Sequence, residues 1–270
     1  MDRIKEIAAQ IRIDCIKMTN KAHSGHVGSM LSMAELLAVL YDEILNVDPK
    51  NPEMEDRDRF ILSKGHASAA VYSVLSQEGF IPRDWLNYYY CDDGKLMGHI
   101  SHKVPGVEFS TGSLGHGLPV AVGMAIAARY AKSERKVFCM TSDGDLNEGS
   151  SWEAIMFAGQ QKLSNLVMIV DYNRIQALGF SKDIENLEPL DVKLEEFGWS
   201  TKIINGHDIS EIRSAFKDLP ITSDKPSAII ARTVKCKGVE YLENTVESHY
   251  RFVPDDKLEE VIEKLKESKI

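Results

Sequence analysis

The 270-residue sequence predicts an α/β fold: a doubly wound, mostly parallel sheet flanked by helices. Three observations carry that expectation. KVFCMT (136–141) and LVMIVD (166–171) are apolar runs of strand length on either side of a helical stretch at 151–161, the pattern of a βαβ unit in a parallel sheet. Two further runs, WSTKII (199–204) and SAIIART (227–233), bracket a helix over 209–217. Hydrophobic residues make up 43% of the chain and charged residues 27%, with no repeat, linker or low-complexity tract. That balance suits one soluble globular domain spanning 1–270.

The remaining elements follow in order. Ile4, Ile7, Ala8, Ile11, Cys15 and Met18 recur at helical spacing over 2–20. HSGHVGS breaks that helix, and Ser32 with Glu35 three residues later predicts a capping box for a second one. Asp48-Pro49 and Asn51-Pro52 mark a loop. RFILS (59–63) predicts a short buried strand, followed by a helix over 67–77. Residues 91–112, rich in glycine and histidine and without periodicity, predict a long functional loop. A small-residue helix is expected over 113–131 and a charged one over 255–268.

Composition excludes several function classes. A formal net charge of −9 without a basic run argues against nucleic-acid binding. It also means that a phosphate ligand would need a metal ion or backbone N–H groups. Four dispersed cysteines without CxxC predict a reducing, cytoplasmic setting. MDRIKEIAAQ reads as an amphipathic helix start rather than a signal peptide, and no apolar run approaches the ~18 residues of a membrane span.

In open α/β sheets ligands sit at the carboxyl ends of strands. Asp143, in TSDGD, follows one strand, and Asn173, in DYN, follows another. Carboxylate and amide oxygens suit a hard cation that takes its other ligands from phosphates and water. Gly144 could bring its N–H close to a phosphate. Taken alone, SDGD is equally an ordinary acidic turn. There is no GxxxxGK[ST], and no GxGxxG follows a strand.

Most of the eight histidines sit beside glycine: SGH (24–26), KGH (64–66), MGH (97–99), LGHG (114–117) and NGH (205–207). Each taken singly could be a loop histidine satisfied locally. His23/His26 and His99/His102 have a spacing open to zinc, but no cysteine or helical HxxxH supports it.

SDGDLNEG followed by VDYN resembles the thiamine diphosphate motif that begins GDG and ends in asparagine, with Ser142 in place of the first glycine. KAHSGHVGSMLSMAELL, FILSKGHA and MGHISHKVPGVEFSTGSLGHGL resemble, in order, segments of the transketolase family. The resemblance covers about residues 10–250 and implies a pyrophosphate-binding domain of the thiamine diphosphate-binding fold. It implies thiamine diphosphate as cofactor, with Mg²⁺ (Ca²⁺ or Mn²⁺ as alternatives) held by Asp143, Asn173 and the carbonyl of Ile175. It implies that Gly144 and His66 meet the diphosphate, and that Gly112 and Leu114 meet the aminopyrimidine through backbone atoms. His26 and His99 would contact donor hydroxyls, and His249 would contact both diphosphate and substrate. Tyr250 and Arg251 depart from the small residue expected after that histidine and put the pocket mouth, and so substrate choice, in question. Glu148, and less so Glu153, would join a proton-relay network at a subunit interface. His102, His116, Gly206 and His207 receive no catalytic role.

In the family, the glutamate facing the aminopyrimidine and the sugar-phosphate grip lie on a second domain. The resemblance therefore implies two copies of this chain with two of a partner, the C-terminal transketolase subunit carrying the pyrimidine-binding half, as an α2β2 heterotetramer active only when assembled. Gly149, Ala154 and Ala158 on the 151–161 helix are expected to pack closely at that interface. The implied reaction is transfer of a two-carbon ketol unit from a ketose phosphate to an aldose phosphate, in pentose phosphate metabolism or a specialised sugar pathway. A 2-oxo-acid dehydrogenase component or a deoxyxylulose-phosphate synthase shares the GDG…N motif, and a catalytically silent paralogue is the third reading.

Overall fold

The computed structural model describes residues 2–268. At its centre lie five parallel strands in the order β1-β2-β3-β5-β4: β1 (Arg59–Leu62), β2 (Val137–Ser142), β3 (Leu166–Tyr172), β4 (Ser200–Asn205) and β5 (Ser227–Arg232). The three central strands are buried along nearly their whole length, which explains why their sequences are continuous apolar runs rather than alternating ones. Period two survives as a division between faces. Phe138, Met140, Val167 and Ile169 belong to one core, and Val137, Cys139, Leu166, Met168 and Val170 to the other.

The first core is covered by α1 (Arg3–Lys21), α2 (Val27–Leu31), α3 (Ala34–Val39) and α4 (Ser68–Gln77), with α9 (Ile209–Lys217) and α10 (Asp255–Ser268). The second is covered by α5 (Gly117–Tyr130), α6 (Gly149–Gln160) and α8 (Leu190–Glu196), with the short α7 (Ser181–Ile184) nearby. Asp2 caps α1 by accepting from the Ile4 N–H, and Asp208 caps α9 by accepting from the Ser210 and Glu211 N–H groups. No described helix is long and apolar enough to cross a membrane.

Three expectations are corrected. Ser32 does not cap a helix: α3 starts one residue after Met33, and the Ser32 hydroxyl donates to Ser29 O and to the Asp171 carboxylate. A buried carboxylate far along the chain outcompetes the local box. The small-residue helix begins at Gly117, because residues 113–116 form a turn ahead of it, with Gly115 at φ 78°, and the segment is tied to the strand ends by Thr111 Oγ1 donating to Leu62 O and Gly115 N donating to Asp145. Finally, Ala154 and Ala158 face the second core rather than an interface. The outward side of α6 instead presents Glu153, Met156, Phe157 and Gln160.

Candidate active site

Every strand of the sheet delivers a polar residue at its carboxyl end. β1 runs into Ser63, Lys64 and His66; β2 into Asp143; β3 into Asp171 and Asn173; β5 into Thr233 and Lys235; β4 into His207. Ser142 and Asp171 are register partners on adjacent strands, so Asp143 and Asn173 leave the sheet at the same edge, side by side.

Asp143 is almost fully buried, and its Oδ2 accepts from Ser181 Oγ at 2.6 Å. Burial, with the nearby Asp171 carboxylate adding to it, pushes its carboxyl up to about 6. Asn173 Oδ1 accepts from the Ile175 N–H at 3.1 Å, which turns the chain so that the carbonyls of Ile175 and Gln176 face Lys235 Nζ at 3.0 and 3.3 Å. Lys235 is fully buried, and burial, with the Lys64 charge adding to it, lowers it to about 8 although Asp143 opposes the shift. Its Nζ lies 3.4 Å from His249 Nδ1.

Four histidines gather beside this edge. The His26 ring lies 5.1 Å from His66, 5.8 Å from His99 and 5.0 Å from His249, and His66 lies 5.6 Å from His249. They come from four separate segments. His26 adopts a left-handed conformation (φ 71°) at the entry to α2, and its N–H donates to the His249 carbonyl at 2.6 Å. His66 follows β1, where Gly65 is required: a Cβ there would stand 2.2 Å from the Thr111 carbonyl oxygen. Burial lowers the proton affinity of all four. His249 falls to about 3, with the Lys235 charge adding to its burial. The cluster is therefore a set of neutral imidazoles at physiological pH, able to accept or donate hydrogen bonds without carrying charge.

Beneath the cluster is a buried ion pair. Lys64 Nζ donates to Asp171 and to Ser29 O, and Asp171 also accepts from Ser32 and Thr233. His66 Nε2 lies 3.3 Å from Ser29 Oγ. The second aspartate of SDGD, Asp145, ties the edge together. It accepts from Ser63 Oγ, from the Gly115 N–H and from both N–H and hydroxyl of Ser142.

The other expected site residues fall on the same face. A Cβ on Gly112 would lie 3.6 Å from the His99 ring, and one on Gly144 would lie 3.3 Å from Leu114 Cδ1. The 111–117 loop thus runs between the histidines and the SDGD turn. Glu148 stands, exposed, at the N-terminal boundary of α6, where its side chain makes no capping hydrogen bond and packs against Gly115. Tyr250 stands at the rim, exposed, with its ring 4.8 Å from His249 and 6.4 Å from His26. The zinc spacings are not realised as pairs. His23 packs edge-on against Phe252, and His102 Nδ1 lies 2.7 Å from Ser110 Oγ.

Sequence reasoning passed over Lys64, Asp171, Asp145 and Lys235. The first three stand inside the quoted motifs SKGH, VDYN and SDGD, and a charge within an apolar strand end was the available signal. Lys235 stands in no motif and could be found only in three dimensions.

The donor set fits a hard divalent cation carrying a diphosphate. It comprises a carboxylate, an amide oxygen and a main-chain carbonyl already facing a positive charge, beside a glycine whose position a Cβ would crowd against Leu114.

Residues 4–267 match the family model described as "Transketolase, thiamine diphosphate binding domain". One relative, an apulose-4-phosphate transketolase subunit from Actinobacillus succinogenes, is 43% identical over 268 residues, covering 98% of this chain and 97% of its own. The 6-deoxy-6-sulfo-D-fructose transketolase subunit SqwG of Clostridium sp. (strain MSTE9) is 38% identical over 88% of this chain and 87% of its own. The crystal structure of transketolase from Campylobacter jejuni superimposes with a TM-score of 0.91 at 38% identity, covering all of this chain and 43% of the other. These relatives favour transketolase over the dehydrogenase and synthase alternatives. The chain belongs to the transketolase family, and its fold is that of the family's thiamine diphosphate binding domain.

Proposed function

We propose that this chain supplies the diphosphate-and-metal half of a transketolase active site and works with a second chain that carries the pyrimidine-binding half. The observation that carries the reading is the cluster of four neutral histidines set beside the paired ends of β2 and β3. Two relatives named as separate subunits, of nearly this chain's length, support the divided architecture.

Asp143, Asn173 and the Ile175 carbonyl would hold Mg²⁺, and the Gly144 N–H, His66, His249 and Lys235 would meet the diphosphate. Lys235 supplies local positive charge in a chain of net charge −9. Gly112 and Leu114 would line the aminopyrimidine, and Glu148 would stand toward the partner. Thiamine diphosphate, when bound, supplies the carbanion chemistry that cleaves a ketose and passes a two-carbon unit to an aldose. His26 and His99 would hold the hydroxyls of the donor and exchange protons with them, which suits imidazoles kept uncharged.

The donor is assigned to ketoses with an anionic tail, phosphate or sulfonate, since both subunit relatives are named for such sugars. The test is an exchange assay on the chain assembled with its partner, Mg²⁺ and thiamine diphosphate. Ketose phosphates, a sulfonated ketose and pyruvate serve as donors. Ketol transfer from an anionic ketose is expected; turnover of pyruvate alone would overturn the proposal.

A further inference from the structure

His207 lies at the end of β4, away from the histidine cluster, yet it is wired to it. Its Nε2 lies 2.8 Å from the Val234 N–H, and its Nδ1 lies 3.1 Å from Glu35 Oε2. A backbone N–H can only donate, so Nε2 accepts and carries no hydrogen. The ring hydrogen is then on Nδ1 and is given to Glu35. Glu35, buried on α3, also accepts from Nη2 of Arg12, a fully buried residue of α1, at 2.7 Å. Burial pushes the Glu35 carboxyl up, but Arg12 and His207 more than offset it and hold it down at about 2. Glu35 is therefore an ionised acceptor that fixes both the orientation and the tautomer of the imidazole.

Val234 sits between the two residues that β5 contributes to the site. Thr233 Oγ1 donates to Asp171, and Lys235 Nζ donates to the carbonyls of Ile175 and Gln176. The chain leaves the sheet here. Beyond Val234 the backbone is held by the Lys235 carbonyl, which accepts from the Asn244 N–H at 3.0 Å, and by the Cys236 N–H, which donates to Gly28 O at 2.9 Å. The His207 ring thus holds the amide midway along the segment that aims Lys235.

We infer that His207, locked by Glu35 and Arg12, is a positioning residue that sets Lys235 and Thr233 through the Val234 N–H, and so tunes the grip on the cofactor's diphosphate without touching it. The inference rests on the function proposed above. Substitutions at 207 separate the two ring nitrogens. His207→Gln can place an oxygen near the Nε2 position and accept from Val234. His207→Asn reaches only as far as Nδ1, and His207→Ala reaches neither.

Two readouts are combined. Hydrogen exchange of the chain without cofactor should show residues 233–236 opening about tenfold faster in His207→Ala and His207→Asn, with the Gln variant near wild type. In the assembled enzyme, the thiamine diphosphate concentration for half-maximal activity should rise about tenfold in Ala and Asn, with kcat at saturating cofactor held within about twofold. Gln should restore the affinity. If Ala does not fold, the Gln-against-Asn comparison decides alone. Unchanged cofactor affinity in variants of a wild type that binds cofactor would overturn the inference and leave the proposed function standing, as would equal behaviour of Gln and Asn. A wild-type assembly that binds no thiamine diphosphate would overturn both.

Discussion

Replacing Asp143 by Asn should make the cofactor-free chain more stable and the site useless. The carboxyl is buried at 2% exposure, and burial raises it from the ordinary 3.8 to about 6. Each pH unit of displacement is worth about 1.36 kcal/mol, so the ionised carboxylate costs the folded chain about 3 kcal/mol above pH 6. The folded state holds this proton more tightly than the unfolded one, so stability falls as pH rises between about 4 and 6 and the penalty is complete above that. Asparagine keeps an acceptor for Ser181 Oγ but loses the charge from that 2.6 Å hydrogen bond, which gives back about 1 kcal/mol. The net gain at pH 7.5 is about 1–2 kcal/mol, or about 2–4 °C in melting temperature for a chain of this size. The assay is thermal unfolding of chelator-treated protein at pH 7.5 and 4.5, paired with calorimetric titration of Mg²⁺ and thiamine diphosphate in the assembled enzyme. The stability gain should shrink at pH 4.5, and cofactor affinity should fall by at least about a hundredfold. Loss of stability at pH 7.5, or cofactor binding at the wild-type level, would refute the reasoning.

Three further outcomes follow from the same geometry. Asp171→Ala leaves the fully buried Lys64 ammonium without its carboxylate, and urea unfolding should record a loss of about 3–5 kcal/mol; a loss below about 1 kcal/mol would contradict the pairing. Gly65→Ala places a Cβ 2.2 Å from the Thr111 carbonyl, on backbone that cannot rotate away, and should cost about 3 kcal/mol in the same assay; wild-type stability would count against the close approach. The His249 imidazole, held at about 3 by burial and Lys235, should show no NMR titration between pH 5 and 8, whereas a midpoint above 5.5 would mean that the cluster is wetter than described.

The sheet was legible because the five runs at 59–63, 136–141, 166–171, 199–204 and 227–233 are short and bounded, and the central strands, buried on both faces, are nearly continuous apolar runs. Spacing alone did not reveal the histidine cluster. His26, His66, His99 and His249 are separated by 40, 33 and 150 positions, and only resemblance to transketolase segments grouped them. Long-range pairing of polar side chains stayed hidden. Lys64 meets Asp171 across 107 positions and Glu35 meets His207 across 172, and although a charge at an apolar strand end marks Lys64 and Asp171 singly, nothing local pairs them. Ser32 shows the opposite failure, a local signal that was present and lost. Its hydroxyl serves Asp171, a buried carboxylate for which an unmade hydrogen bond costs more than a helix cap gains.

The proposed chemistry stands on the adjacent ends of β2 and β3 forming one metal–diphosphate grip. Crystals of the assembled enzyme grown with Mn²⁺ and thiamine diphosphate would test this through the anomalous signal of the ion. One peak is expected within about 2.0–2.3 Å of an Asp143 carboxylate oxygen and Asn173 Oδ1, with the diphosphate beside Gly144 and Lys235. Ordered cofactor with the ion bound away from Asp143 and Asn173 would contradict it.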